Sequence, residues 1–518
     1  MTEVEPPKRK ISRGVSRALW ILLAVFIVGS VVWFFTERWF FETWSDLYTD
    51  ELVYHLNVSF EGTNPDMIWD YVLHYLVPEI IVIGIMIGIL FPMHHRWVKG
   101  RTKRVPNAWR VAIAVICVIC CVLLGVASYD FEQRVGPAAY VASDFSSEPD
   151  FTEQHYADPS SVAIASPEHK RNLIYIYLES CEVTYADKAS GGAFERNVIP
   201  ELTRLSREND NFSGADGKLD GGISLPGSTW TMGAMFAQST GLPLKIPLFR
   251  DAMNHQTEFF PGTTAIGDIL EAEGYEQELL IGSDAAFGGR DLFFHDHGDF
   301  AIVDYPYAIE HGWIPEDYLE FWGYEDEKLF ANARKELARL AAGDKPFNLT
   351  LLTVDTHFED GYKCRLCRNE FGEQYADAFA CASRQVDAFI KWVQQQDFYE
   401  DTTIVICGDH PTMDVDFCED VPEDYQRRTV TAVINSAVDP ADPQRTRVYS
   451  TFDMFPTTLA AMGAQIEGDR LGLGTNLYGS RDTLVEELGV AECQEQLAGA
   501  SRFLENFESE AVPPKQRK

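Results

Sequence analysis

The stretch NLIYIYLE, residues 172–179, is a continuous run of apolar and aromatic residues that ends on an acid. Three later stretches have the same form and end on an acid or a histidine: QELLIGSD at 277–284, NLTLLTVDTH at 348–357 and TTIVICGDH at 402–410. Apolar runs of this length are typical of strands that are buried on both faces. The four runs therefore predict a mostly parallel sheet that is covered by helices.

The polar ends of these four runs indicate where a site would lie. In open parallel sheets, ligands bind in the crevice at the carboxyl ends of the strands. The carboxylates and imidazoles expected at that edge are Glu179, Asp284, Asp355, His357, Asp409 and His410. Together, such side chains would suit a hard metal ion or a phosphate group.

Helix-like stretches alternate with the strand runs, as an α/β fold requires. The clearest lie at 326–343 and 375–396, where apolar residues recur with helical spacing. We therefore expect an α/β domain over residues 171–505, preceded by a polar linker at 130–170 and followed by a flexible tail at 506–518.

The first 129 residues contain three apolar stretches and predict a membrane anchor. They lie at 18–35, 68–91 and 111–127, and each approaches the roughly 20 residues that cross a bilayer. Lys and Arg concentrate before the first stretch and between the second and third, whereas the loop between the first and second is acidic. The positive-inside rule then places the N-terminus in the cytoplasm and the α/β domain outside it. The sequence thus predicts a multi-pass protein of the cell membrane with an external catalytic domain.

The chain of 518 residues has a net charge of −36, and the whole excess of acid lies after residue 110. Up to that residue there are 12 Lys/Arg and 11 Asp/Glu. A domain this acidic lacks the clustered cations that a phosphate backbone requires, so nucleic acid is not expected as a partner. The hydrophobic content of 46% excludes a mainly disordered chain.

The cysteines of the predicted external domain offer a further pattern. Cys364 and Cys367 are separated by two residues, which could suggest zinc, but a second pair at finger-like spacing is missing. In an external compartment disulfides persist. We therefore expect a loop disulfide between Cys381 and one of the other two.

The stretch LPGSTWTMGAMFAQSTGLPL, residues 225–244, is a second candidate for chemistry. A Pro-Gly turn precedes a helix-like segment, which puts Ser228, Thr229 or Thr231 at a helix N-terminus. Free N–H groups and the helix dipole stabilise an anion there, and a metal-bound hydroxyl in that place can attack phosphorus. The alternative is plain N-capping, for which Ser and Thr are favoured in any case.

In order and separation, Glu179, the Gly-Ser-Thr-Trp-Thr turn, the Thr-His of 348–357 and the Gly-Asp-His of 402–410 resemble the lipoteichoic acid synthase and phosphoglycerol transferase family. The resemblance covers residues 172–478. It is greatest for the branch that transfers phosphoglycerol to membrane-derived oligosaccharides. That family has the alkaline phosphatase/sulfatase fold, which the resemblance implies for this chain.

The resemblance also implies roles for single residues. The metal ligands would be Glu179, Thr231, Asp409 and His410. Thr231 would also be the nucleophile, with Ser228 and Thr229 as alternatives. The substrate-binding residues would be His357, Arg290 and Asp284. The cofactor would be one divalent metal, manganese in the family, while Mg²⁺ and Zn²⁺ also fit these donors.

The implied reaction is transfer of phosphoglycerol from phosphatidylglycerol to a glycan or a glycerolphosphate polymer, through a covalent Thr231 intermediate on the outer face of the membrane. One alternative is a phosphoethanolamine transferase or a phosphodiesterase on the same fold. Another is a non-catalytic membrane protein that binds glycans or a partner. A true sulfatase is not expected, because no Cys/Ser-x-Pro-x-Arg sequence occurs at the nucleophile turn.

Overall fold

The computed structural model describes residues 13–44, 47–57, 69, 71–98, 107–145, 150–246 and 258–508. The chain divides into two compact units, one formed by 1–44 with 64–135 and the other by 45–63 with 136–518. Residues 68 and 70 of the second predicted span and the predicted tail from residue 509 onward lie outside the described residues.

The α-helices among the described residues are α1 (Arg13–Thr43), α2 (Thr49–Asn57), α3 (Val77–Val98), α4 (Asn107–Arg134), α5 (Pro137–Asp144), α6 (Phe151–His155), α7 (Pro200–Glu208), α8 (Thr231–Thr240), α9 (Ile266–Ala272), α10 (Arg290–Asp296), α11 (Tyr305–Glu310), α12 (Asp326–Ala341), α13 (Gln374–Val393), α14 (Met454–Ala461), α15 (Leu484–Leu488), α16 (Val490–Leu497) and α17 (Arg502–Glu508). The strands are β1 (Ile164–Ala165), β2 (Asn172–Leu178), β3 (Gly222–Ile223), β4 (Glu276–Ile281), β5 (Ala301–Val303), β6 (Phe347–Leu352), β7 (Thr402–Gly408), β8 (Thr431–Ile434), β9 (Tyr449–Ser450), β10 (Gln465–Ile466), β11 (Arg470–Leu471) and β12 (Gly474–Thr475).

Among its described residues, the first unit contains three helices that are long and apolar enough to cross a membrane. The membrane-length segments are Arg17–Thr43, Val72–Pro92 and Asn107–Arg134, of 27, 21 and 28 residues. The second of them begins with a π-helical turn, Val72–Leu76, that leads into α3. The three helices pack together through Ile27, Val31, Met86, Leu90, Ile116 and Cys120. The three apolar helices predicted from the sequence are therefore confirmed. The helical segments continue past the predicted ends at residues 35, 91 and 127.

The second unit is built on a six-stranded sheet with the strand order β5-β4-β6-β2-β7-β8. All neighbouring strands are parallel except β8, which pairs antiparallel with β7. Strands β4, β2, β6 and β7 coincide with the four apolar runs, and their interior positions are buried. The predicted α/β fold with a mostly parallel central sheet is confirmed.

The central strand β2 connects the two faces of this sheet. Ile174 and Ile176 belong to the same hydrophobic core as Leu337 of α12 and Phe389 of α13. Side chains alternate along a strand, so the two tyrosines between and beside these isoleucines point to the other face. There, Tyr175 donates a hydrogen bond to Gln238 of α8. One face therefore carries the core helices, and the other carries α8.

Candidate active site

Three predicted metal ligands meet at the carboxyl edge of the sheet. Glu179 follows β2, while Asp409 and His410 follow the adjacent parallel strand β7. The Nε2 atom of His410 lies 3.5 Å from Glu179 Oε1 and 3.5 Å from Asp409 Oδ2. One ligand atom from each residue lies within 4.8 Å of the others, and all three side chains are buried. The neighbouring strand order explains why residues 230 positions apart in sequence form one cluster.

The close approach of the two strand ends depends on Gly408. A Cβ atom at this position would lie 1.9 Å from the backbone oxygen of Cys181, which follows Glu179 by two residues. Side chains other than hydrogen are therefore excluded without a backbone shift. The Gly-Asp-His sequence thus combines a close-packing residue with two potential ligands.

Hydrogen bonds orient the ligand atoms toward one point. Asp409 Oδ1 accepts bonds from the backbone N–H groups of Ser180 and His410, at 2.8 and 2.7 Å. Its Oδ2 is buried and accepts no hydrogen bond from any residue that the structure describes. His410 Nδ1 donates to the carbonyl of Pro411 at 2.8 Å, so Nε2 is the nitrogen that can bind a cation.

The electrostatics of the cluster favour a cation. Burial raises the pKa of Asp409 to about 7. Burial, followed by the charge of Asp409, also raises the pKa of Glu179. Two buried carboxylates that resist ionisation are stabilised in the charged form by a divalent metal. The unsatisfied Asp409 oxygen and the carboxylate and imidazole donors therefore fit such an ion.

Thr231 is the hydroxyl that joins this cluster. It is the first residue of α8, and its Oγ1 lies 3.3 Å from Glu179 Oε2 and 3.3 Å from His410 Nε2. Ser228 instead closes the preceding turn, because its Oγ bonds both the N–H and the carbonyl of Leu225. Thr229 donates to the carboxylate of Glu51 at 2.7 Å. Of these three hydroxyls, that of Thr231 is the one that contacts Glu179 and His410.

Helix α8 is held against the ends of β2 and β7. Gln238 accepts from Tyr175 at 2.8 Å and donates to the carbonyl of Gly408 at 3.1 Å. Tyr177 and Ser239 share a further hydrogen bond of 3.1 Å. These buried bonds connect the helix that carries Thr231 to the two strands that carry Glu179, Asp409 and His410.

The Thr-His pair after β6 lies at the same edge. Thr356 Oγ1 donates to the carbonyl of Glu179 at 2.6 Å, so it fixes the backbone of a potential ligand. His357 Nδ1 donates to the carbonyl of Phe358 at 2.7 Å, which leaves Nε2 as its other functional atom. Burial lowers the pKa of His357, while the charge of Glu179 acts in the opposite direction. The imidazole is therefore within electrostatic reach of the cluster.

Arg290 and Asp284 belong to one loop after β4. Arg290 is buried and donates from Nε to the carbonyl of Phe287 and from Nη2 to the carbonyl of Asp284, at 2.9 and 3.0 Å. Its guanidinium also interacts electrostatically with Glu179. The carboxylate of Asp284 accepts from the N–H of Ala286 at 2.9 Å, so it shapes the loop. Asp355, the remaining strand-end acid, instead pairs with Asp326 of α12.

Helix α2 brings side chains to this region that the sequence reasoning missed. Tyr54 donates to the carbonyl of Gly288 at 2.6 Å, and its ring lies 5.2 Å from that of Trp230. Desolvation and the nearby imidazoles of His357 and His410 lower the pKa of His55. One signal could have found them: Glu51, Tyr54 and His55 have the spacing of one helix face.

A second group of potential metal ligands lies elsewhere in the same unit. The sulfur of Cys364 is 3.7 Å from that of Cys367 and 3.8 Å from that of Cys381. The three thiols are therefore neighbours without a bond between them. The disulfide expected from the sequence stays a prediction.

Comparison with known proteins gives three findings. Residues 171–464 match the protein family described as Sulfatase. Phosphoglycerol transferase I from Escherichia coli strain 55989 is 29% identical over 404 residues, which are 76% of this chain and 48% of that protein. The protein of the same name from Salmonella arizonae is 29% identical over 373 residues, 70% of this chain and 45% of its own. The chain thus spans about half the length of the curated relatives it matches.

Two solved structures align with much of this chain. The lipoteichoic acid synthase LtaP from Listeria monocytogenes aligns with a TM-score of 0.47 at 16% identity, over 69% of this chain and 98% of that one. The lipooligosaccharide phosphoethanolamine transferase A (EptA) from Neisseria meningitidis aligns with a TM-score of 0.48 at 14% identity, over 86% and 84%. The resemblance inferred from the motifs is confirmed by the curated relatives.

Proposed function

The chain belongs to the sulfatase family, and on that basis we propose that it is a metal-dependent phosphoglycerol transferase. One observation carries the proposal: the Oγ1 of Thr231, at a helix N-terminus, lies 3.3 Å from both Glu179 Oε2 and His410 Nε2. A hydroxyl surrounded by metal-binding groups is the arrangement that turns an alcohol into a nucleophile.

Glu179, Asp409, His410 and Thr231 would hold one divalent metal. When bound, the metal supplies Lewis acidity, which lowers the pKa of the hydroxyl and withdraws charge from the phosphoryl group. Two carboxylates, one imidazole and one hydroxyl give a mainly oxygen donor set, which favours Mn²⁺, with Mg²⁺ and Zn²⁺ as alternatives.

The reaction would proceed as two displacements at phosphorus. Thr231 Oγ forms a bond to the phosphorus of phosphatidylglycerol, and the bond to the diacylglycerol oxygen breaks. Diacylglycerol leaves with a proton, and the phosphoglycerol group stays on Thr231 as a diester. A hydroxyl of a glycan or a glycerolphosphate polymer then attacks this phosphorus and regenerates the threonine hydroxyl, which gives ping-pong kinetics.

Arg290 and His357 would bind the phosphoryl oxygens. The bonds to Phe287 and Asp284 use Nε and Nη2 of Arg290 and fix the plane of its guanidinium. A fixed planar cation suits a phosphate and costs no reorganisation as charge develops. In this proposal Asp284 acts by shaping the loop, and His357 presents Nε2.

The membrane-length helices support a location at the lipid donor. The positive charge before the first helix and between the second and third favours an external position for the second unit. Phosphatidylglycerol would then be available in the bilayer beside the anchor. The acceptor would be a hydroxyl-rich glycan or glycerolphosphate polymer outside the cell membrane.

The test uses the full-length protein in vesicles that contain phosphatidylglycerol and Mn²⁺. We expect diacylglycerol release that requires the metal and disappears in Thr231→Ala but persists in Thr231→Ser. Release from phosphatidylethanolamine vesicles alone would instead identify a phosphoethanolamine transferase. Diacylglycerol release by Thr231→Ala at the rate of the unmodified protein would refute the proposal.

A further inference from the structure

We propose that helix α2, Thr49–Asn57, is a positioning element of the active site. The helix lies in sequence between the first two membrane-length segments, yet it belongs to the same compact unit as the sheet and α8. Glu51 positions the nucleophile turn, and Tyr54 positions the loop before Arg290. The inference rests on the proposed function only in taking Thr231 and Arg290 as the residues that react with and bind phosphate.

The first contact is made by Glu51. Its side chain is buried, and Oε2 accepts the hydroxyl proton of Thr229 at 2.7 Å. Thr229 precedes Thr231 by two residues, at the point where the chain enters α8. A carboxylate that binds this hydroxyl therefore limits the rotation of the turn that presents Thr231.

The second contact is made by Tyr54, which is 2% exposed. Its hydroxyl donates to the carbonyl of Gly288 at 2.6 Å, within the 3₁₀ turn Phe287–Gly289 that leads into Arg290. Its ring packs on Trp230, whose centroid lies 5.2 Å away. One side chain thus touches both the residue before Thr231 and the turn before Arg290.

The turn is shaped around the tyrosine. Gly288 has φ +73°, and a Cβ atom there would lie 2.6 Å from the Tyr54 hydroxyl oxygen. Only glycine leaves room for both the backbone conformation and the hydrogen bond. Because Arg290 donates to Phe287 in the same turn, a shift of the turn would move the guanidinium.

A buried ion pair fixes the helix to this unit. Asp50 Oδ2 lies 2.7 Å from Lys245 Nζ, and the two side chains are 0% and 4% exposed. A charge in such surroundings is strongly destabilising without its partner, so the pair holds α2 in one place. By contrast, Leu56 on the same helix is 70% exposed. It therefore provides a matched control outside these contacts.

The experiment compares the full-length protein with its Glu51→Gln, Tyr54→Phe and Leu56→Ala variants. Each is assayed for Mn²⁺ affinity by calorimetry, for thermal midpoint, and for kcat and KM on bis(4-nitrophenyl) phosphate. Tyr54→Phe removes only a hydroxyl, so we expect KM to rise about tenfold, the equivalent of one lost hydrogen bond, with Mn²⁺ affinity unchanged. Glu51→Gln should weaken Mn²⁺ binding several-fold through Thr231, and Leu56→Ala should change neither property.

The result that overturns the inference is equality of both variants with the unmodified protein in Mn²⁺ affinity and KM, even if their thermal midpoints fall. That pattern would mean a purely structural helix. Failure of the proposed function has a different signature. In that case the unmodified protein binds Mn²⁺ but releases no diacylglycerol from phosphatidylglycerol, and the Mn²⁺ affinity of Glu51→Gln still decides the role of α2.

Discussion

The two carboxylate oxygens of Asp409 have different surroundings. Oδ1 receives two backbone N–H groups, whereas Oδ2 faces Glu179 and His410 without a hydrogen bond from the described residues. Glu179 is supported in a similar way, through the hydroxyls of Thr353 and Thr356 on its backbone. Neighbouring residues thus hold the backbone of Glu179 and one oxygen of Asp409, while Asp409 Oδ2 accepts no hydrogen bond from the described residues.

Asp409→Asn separates these two roles. The amide oxygen can still accept from Ser180 and His410, but the second position becomes an uncharged donor. We expect a loss of Mn²⁺ affinity of at least about 100-fold with little change in the thermal midpoint of the metal-free protein. Asp414→Asn, at a buried carboxylate that bonds Phe417 instead, is the matched control. Equal Mn²⁺ affinity of both variants would exclude Asp409 as a ligand.

At the scale of elements, the junction of β6 with α12 contains a buried pair of acids. Asp355 accepts from the N–H of Asp326, and Asp326 accepts from the N–H groups of Val354 and Asp355. Burial raises the pKa of Asp326, and burial together with the charge of Asp326 raises that of Asp355. The pair joins a strand end to a helix start beside the active site.

The pair makes stability depend on pH in a defined direction. Both pKa values are raised above the ordinary 3.8, so the folded protein keeps protons that the unfolded chain releases. The stabilisation is complete below about pH 4 and is lost as pH rises toward the raised values. Asp355→Asn removes one such titration, so its thermal midpoint should fall less steeply between about pH 5 and pH 8. The matched control is Asp424→Asn, at an exposed carboxylate. If the thermal midpoint of Asp355→Asn falls with pH as steeply as that of the control, this explanation is contradicted.

The strands and helices show which features the sequence could predict and which it could not. The apolar runs that end on Glu179, Asp409 and His410 predicted the parallel sheet and the edge where the potential metal ligands lie. They could do so because a continuous apolar run indicates a buried strand, and the polar residue after it marks the strand's carboxyl end. The adjacency of β2 and β7 and the antiparallel β8 depend on contacts far apart in sequence. The contacts of Glu51 and Tyr54 join residues 178 and 234 positions apart, and no local pattern encodes such partners. Asp355 had the right local pattern but pairs with a helix terminus instead.

For the whole molecule, charge and hydropathy predict an orientation that can be measured. Three membrane-length helices, with basic residues before the first and between the second and third, predict that the second unit lies outside the cytoplasm. A green fluorescent protein fused to the C-terminus and exported in unfolded form should therefore stay dark, whereas a fused alkaline phosphatase should be active. The opposite pair of results would put the second unit in the cytoplasm, away from an external acceptor.

In the proposed mechanism, each of the two units has its own role. The helices would keep the chain at its lipid donor, and the sheet edge would carry the nucleophile. Helix α2 lies in sequence between two membrane-length helices, while its Glu51 accepts a hydrogen bond from Thr229 of the second unit. The membrane-length helices and the second unit are therefore directly linked along the chain.

The most direct test of the central claim is the mass of the intact protein after a brief reaction. Full-length protein is mixed with phosphatidylglycerol and Mn²⁺ without acceptor, and the reaction is quenched in acid. The mass of the intact protein is then measured by mass spectrometry, and the modified residue is located by peptide mapping. The proposed mechanism predicts one added phosphoglycerol group on Thr231, which Thr231→Ser retains and Thr231→Ala lacks. An adduct on Ser228 or Thr229, or diacylglycerol release by Thr231→Ala at the unmodified rate, would contradict it.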